Sequence, residues 1–431
     1  MPEIRTRREG KGAAGARSGR VLDTAVILLF FLGTVLTPVQ VRSSVLHKLF
    51  PSSGYLCYLN FPCTLALLLS FIRLKRWEKA DWAVFAAWLL SLVLMLVSNR
   101  GLEAMRYITI PCQNLLPVYF ILFRMNRDTR QGSVRLFMIL FNSFILVLLA
   151  FAVEEKITGG AVMNAFTEWL VSHGMYASEF QRMAGETRTY TFWGHPLTNT
   201  LLFNGFLALN IAWYRSRGRK IYALMYVPAA AAGVLLSGSK MGIVVYLLLV
   251  VVLCWEHKKW FLACIPVLAV LYFAGALNTI IGRFTGTTLT TDRAEGLARY
   301  FDVWYQAWPF RWLAGYGSGV ALDPNHPLYD CRQGFEFSLL MFAIDYGIVF
   351  ALLVMIGSWG YITWRCLRKK QWTVWLCWSL VFAELNAYNG FALRTQDVFI
   401  IGCFLAMVML NMLPDTGEAA GLTEGSDGTA C

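Results

Sequence analysis

Apolar residues in this chain come in long unbroken runs, with polar residues confined to the gaps between them. A helix rises about 1.5 Å per residue, so about 20 apolar residues in a row cross a hydrocarbon core of about 30 Å. Twelve runs approach that length, at 21–39, 55–72, 81–98, 107–124, 134–153, 196–214, 221–237, 241–256, 260–278, 336–360, 372–389 and 396–412. The pattern predicts an all-α polytopic integral membrane protein of about twelve transmembrane helices.

Charge gives the runs an orientation. Short cytoplasmic connections carry excess Lys and Arg. Counted off in order, the basic segments here are the N-terminus (Arg5, Arg7, Arg8) and alternate connections holding Arg73 to Arg76, Arg124 to Arg130, Arg215 to Lys220, Lys258 and Lys259, and Arg365 to Lys370. That alternation puts both termini in the cytoplasm and leaves two long extracytoplasmic loops, about 154–195 and 279–335. The expected organisation is a basic N-terminus over 1–20, one transmembrane domain over 21–412, and an acidic, disordered tail over 413–431. The tail opens with Leu413-Pro414-Asp415-Thr416-Gly417, which is similar to a sortase-type sorting signal, but no apolar span and basic end follow it.

Composition agrees: 57% hydrophobic and 15% charged residues suit lipid as the solvent better than water. The net charge of +12 is then an orientation signal rather than a mark of nucleic acid, and the expected medium is the lipid bilayer. Most of the ten cysteines fall in or beside apolar runs, as packing residues, and Cys331 in the second long loop has no evident disulfide partner. The basic start lacks a cleavage site after its first apolar run, so that run is expected to stay as an anchor. No internal repeat points to an inverted-repeat transporter.

Ionisable residues inside a membrane are costly, and Asp345, expected well inside the tenth run, is the deep charge that stands out. The outward segments, by contrast, gather cations beside glycines. Arg188 precedes Gly194-His195-Pro196; Lys240 sits in the short turn Ser237-Gly238-Ser239-Lys240; Arg293 and a Trp-rich stretch precede Gly315-Tyr316-Gly317-Ser318-Gly319, and Glu336 opens the tenth run. Arg100, Arg106 and Arg394 also fall in outward connections. Guanidinium groups match phosphate oxygens bidentately, and N–H groups of glycine-rich turns add to an anion site, so a lipid-borne diphosphate carrying a glycan fits this set. The plainer reading of the Trp- and Arg-rich loop is a segment lying at headgroup depth.

These residues resemble the O-antigen ligase and polysaccharide polymerase superfamily of bacterial envelope enzymes, over about 185–365. Glu336, Leu340, Asp345 and Gly347 fall at the offsets of that family's segment after the large loop; Gly315 and Gly317 match its Gly-x-Gly, Arg293 its loop arginine, and Arg188 with Gly194-His195-Pro196 its first-loop motif. Lys240 stands where ligases have Arg, and Glu336 where they have a functional His, departures that favour the polymerase side.

The resemblance implies metal-independent, inverting transfer of a glycan from polyprenyl (undecaprenyl) diphosphate to an acceptor glycan hydroxyl, on the outer side of the cytoplasmic membrane and without a cofactor. Arg293 and Arg188 would hold the diphosphate with Lys240 assisting, and Gly315, Gly317, Gly319 and Asp345 would complete the substrate site. Glu336 is the candidate general base and His195 its rival. The alternative is a non-catalytic flippase or exporter of the same lipid-linked glycan.

Overall fold

The protein is seen in a computed structural model that describes residues 3–38, 41–42, 60–100, 115–172, 188–255, 293–387 and 397–414. Among the described residues all regular structure is helical. The ninth apolar run, 260–278, and the first part of the fourth, 107–114, lie outside them, as do Arg106 and Arg394.

Thirteen α-helices organise the described chain. The first, α1 (Glu3–Phe30), runs on through a π turn to Val35, and α2 (Phe61–Ser70) starts where Asn60 accepts the Cys63 N–H at 2.9 Å. Glu78 and Asp81 form a capping box at the head of α3 (Lys79–Ser98). Then come α4 (Arg130–Thr158), α5 (Ala161–Ser172), α6 (Pro196–Arg215), α7 (Val227–Ser237) and α8 (Lys240–Cys254). The described part of the second long loop starts with the short α9 (Arg293–Arg299), and α10 (Ser338–Tyr346), α11 (Ile348–Arg368), α12 (Trp372–Asn386) and α13 (Val398–Met412) complete the set.

Five segments are long and apolar enough to cross a membrane: Arg17–Val35, Lys79–Ser98, Arg130–Thr158, Lys220–Ser237 and Ile348–Arg368. Their outer faces leave Leu32, Leu90, Val93, Ile139, Leu146 and Leu352 exposed, a surface suited to acyl chains and not to water. Every residue of α13 is buried, and most of α6 is too; these two helices lie in the interior of the bundle.

Two expectations are corrected here. The tenth run is not one helix: it breaks at Gly347 (φ 100°, ψ 160°), so the span-length helix is α11 and Asp345 lies before its first residue rather than deep within it. Nor is the first long loop all loop, since α4 continues to Thr158 and α5 follows directly.

Hydrogen bonds sort the helix ends into two groups. At one, Arg73 donates to Arg124 O (2.8 Å) and Gly19 O (2.9 Å), Asn411 Nδ2 to Phe123 O (3.0 Å) and Lys369 Nζ to Pro414 O (2.5 Å). At the opposite end Arg42 clasps Asp397, Gly315 N donates to Ser98 Oγ (3.0 Å) and Leu339 N to Asn386 Oδ1 (3.0 Å). The described basic segments around Arg73, Arg124, Arg215 to Lys220 and Lys369 thus share one end of the bundle, and the described parts of both long loops lie at the other.

Candidate functional site

The second long loop folds on itself around Tyr300, Ala321, Leu328, Cys331 and Phe335, a small core separate from the main one. Within it α9 lies antiparallel to the 3₁₀ segment Pro327–Glu336. The two touch through glycines: a Cβ added at Gly296 would stand 2.6 Å from Gly334 N, and one at Gly334 2.6 Å from Leu297 N. Ion pairs flank that contact, Arg299 with Asp330 at 2.5 Å and Arg293 with Glu336 at 2.7 Å. Arg293 Nε also donates to Glu336 Oε2 (2.8 Å), and its guanidinium lies 5.6 Å from the Phe337 ring centre. Two residues 43 positions apart, both proposed for chemistry, are therefore in direct contact.

The Gly-rich segment has a different task from the one expected. Gly315 N donates to Ser98 Oγ (3.0 Å), Gly317 N to Asp345 O (2.9 Å) and Gly319 N to Asp345 Oδ2 (2.7 Å). The three N–H groups that would cradle an anion are engaged within the protein. Where the chain breaks at Gly347, Ile348 N donates to Arg311 O (2.9 Å) and Val349 N to Trp312 O (3.0 Å), so this loop caps α11 with its own carbonyls. A Cβ at Gly315 would stand 2.3 Å from the Asp345 carbonyl carbon, so the approach needs glycine. Gly315, Gly317, Gly319 and Asp345, expected as substrate ligands, thus bond within the protein and frame the loop; Asp345, 2% exposed, latches it.

The first-loop segment is pinned just as firmly. Glu155, near the end of α4, accepts Tyr190 N (2.9 Å) and Thr191 N (2.8 Å); Asn199 in α6 donates to Tyr190 O (2.9 Å), and Thr189 N donates to Leu236 O (3.2 Å) beside the α7–α8 turn. Thr189 is the neighbour of Arg188, so that arginine starts from the turn that carries Lys240. Lys240 is the first residue of α8, where Ser239 Oγ accepts Gly242 N at 3.1 Å. His195 stands at the head of α6 with its carbonyl accepting Asn199 N (3.1 Å), and its imidazole does not cap the helix.

Glu384 joins the two halves, and sequence reasoning passed it over. This α12 carboxylate is 1% exposed; Oε2 accepts Asn204 Nδ2 at 2.7 Å, and the same amide donates to Gly242 O (2.9 Å). Oε1 has no hydrogen-bond partner among the described residues. Two residues on, Asn386 accepts Leu339 N (3.0 Å), close to Glu336 along the chain. Hydrogen bonds thus join the Lys240 turn to α12 through Asn204 and Glu384, and α12 to the head of α10 through Asn386. The signal was present in the sequence: Glu384 is the one charge in the run Trp372–Asn386, and a charge inside an apolar run is a functional candidate by default.

Cys331 is buried and its thiol donates to Leu328 O at 3.1 Å; burial, with Asp330 adding to it, pushes its pKa up to about 11. His326 is shifted the other way, its imidazolium disfavoured by burial against Trp308. Among the described residues no three His, Cys, Asp or Glu side chains gather as a metal site. No protein-family model, curated protein or solved structure matches the chain.

Proposed function

We propose that the chain is a membrane glycosyltransferase that moves a glycan from a polyprenyl diphosphate carrier to an acceptor sugar hydroxyl at the outer surface of the cytoplasmic membrane, in the making of a surface polysaccharide. The observation that carries this reading is the Arg293–Glu336 pair, a guanidinium and a carboxylate in contact (2.7 Å) at the bundle end that also holds the Arg188 and Lys240 segments.

A leaving diphosphate needs charge stabilisation more than a proton, and arginine supplies it. Arg293 spends two of its five N–H groups on Glu336, so a phosphate oxygen can be held by the others while the carboxylate stays in place. The acceptor hydroxyl attacks the anomeric carbon as the carbon–oxygen bond to the diphosphate breaks. Its proton passes to Glu336, and the polyprenyl diphosphate departs with the bonding electrons. Direct attack inverts the anomeric centre. Arg188 and Lys240 meet the far side of the diphosphate, and Glu384 with Asn204 keeps the Lys240 turn seated against α12.

The test is transfer by purified protein in detergent, with a lipid-diphosphate oligosaccharide and an acceptor glycan. Glu336→Gln and Arg293→Ala should each abolish product while the protein still purifies folded, and Arg293→Lys should restore little because the fork is lost. Unchanged product from both variants would remove this mechanism. No product from the wild type, with facilitated passage of the lipid across a vesicle membrane, would favour the flippase reading. A ladder of product lengths marks a polymerase; a single addition marks a ligase.

A further inference from the structure

The opposite, basic end of the bundle holds a cavity of about 630 Å³ between α6, α8 and the head of α12. Arg215, Lys220 and Lys370 line one part of it, and Leu248, Val252 and Leu376 line another. Among the described residues no Asp or Glu shares the lining. The volume lies inside the range of about 300–1,000 Å³ usual for small-molecule sites.

Three features make this a built site. Lys220 is only 4% exposed, so its ammonium is withdrawn from water at the edge of an apolar space. Lys370 adopts φ 54°, a left-handed conformation unfavourable for a non-glycine residue, which fixes the direction of the chain at this corner. Gln371 N closes the corner by donating to Cys366 O at 2.9 Å.

The aliphatic part points to the membrane. Leu248 is 44% exposed and Leu376 37%, both on the outer surface of the bundle, so the apolar wall continues from the cavity to where acyl chains lie. Trp255 and Trp372 also line it and are largely exposed, the placement of tryptophan at headgroup depth. A ligand matching both halves has an anionic phosphate and a long hydrocarbon chain. The cations answer the first and the aliphatic wall the second.

We propose that this cavity binds the phosphate headgroup and one acyl chain of an anionic glycerophospholipid from the leaflet on the basic side, independently of the transferase site at the other end. Basic pockets between transmembrane helices recognise such headgroups, each Lys or Arg contributing about 1 kcal/mol. Neutralising one cation should therefore weaken binding about fivefold, and neutralising all three on the order of a hundredfold.

The experiment is native mass spectrometry and thermal unfolding of delipidated protein in detergent, with phosphatidylglycerol, phosphatidylcholine or inorganic phosphate added. Phosphatidylglycerol should be retained and raise the unfolding temperature, with phosphatidylcholine and inorganic phosphate at equal concentration doing neither. Arg215→Gln and Lys370→Gln, both at the rim, should each reduce retention about fivefold. Val252→Trp, which fills the tail groove and leaves every charge, should reduce it as well. Equal retention of the two lipids, rim variants that bind like wild type, or a full effect from inorganic phosphate alone would overturn the proposal. Lys220→Gln is read only where its unfolding temperature without lipid matches wild type, so that a folding defect is not taken for lost binding.

Discussion

Arg293 directs both of its contacting nitrogens at one oxygen of Glu336, and the pair is 20% and 41% exposed. Ion pairs this open to water contribute about 0–1 kcal/mol to stability. Glu336→Gln should therefore leave the unfolding temperature in detergent nearly unchanged while product formation falls at least a hundredfold, and measuring both on one preparation separates a chemical role from a structural one. Cys331 offers a contrast in the same loop. With its pKa near 11, about one thiol in a thousand is thiolate at pH 8, and the side chain is buried. Maleimide labelling at pH 8 should be slow in the folded protein and complete once it is unfolded; fast labelling of Cys331 in the native state, located by peptide mapping, would contradict the folded loop core. The candidate site was only partly legible: Arg293 and Glu336, which the fold brings into contact, stood out by type and position, whereas the three glycines of 315–319 look the same in a sequence whether their N–H groups face a ligand or a neighbouring carboxylate.

At the scale of elements, α9 and the Pro327–Glu336 segment act as one clamp, with the charges at its ends and Gly296 against Gly334 at its middle. Overpacking such a contact costs about 1–3 kcal/mol and displaces backbone. Gly334→Ala should separate Arg293 from Glu336 without altering a charge, lowering transfer at least tenfold, while an alanine at exposed Leu313 should do nothing. Equal activity from both variants would mean that the clamp does not set the site. The helices themselves were readable because length and apolarity suffice to specify them; α3, α4 and the segment Lys220–Ser237 lie where the runs fall. The break at Gly347 was not, since one glycine in an apolar run costs a helix only about 1 kcal/mol and nothing local marks it. What enforces the break is distant: carbonyls of Arg311 and Trp312 take the N–H groups that α10 would otherwise have used.

Across the whole molecule, buried charges mark the two ends of the bundle. Asp23 meets Arg73 at 2.8 Å and Asp81 meets Arg124 at 3.2 Å on the basic side, where Tyr361 also bonds both Asp81 and Arg124. On the other side a buried pair joins two helix ends: Arg42 Nη1 and Nη2 donate to the two oxygens of Asp397 at 2.9 and 3.0 Å, and Nη1 also reaches Gly33 O at 2.8 Å. That pair ties the chain just after α1 to the head of α13, a helix buried along its whole length. Both partners are nearly withdrawn from solvent, 7% and 2% exposed, so removing one strands the other in an apolar setting, at a cost of about 3–5 kcal/mol. Asp397→Ala should accordingly lower the unfolding temperature in detergent by several degrees, and the double change Arg42→Leu with Asp397→Leu should recover most of that loss, because matched apolar groups spare both desolvation penalties. If the single variant unfolds like wild type, the pair does not secure the central helix. If the double variant is stable yet inactive, then the pair's second task is to hold the loop end of the bundle in register, and the site at that end depends on a contact that touches no substrate.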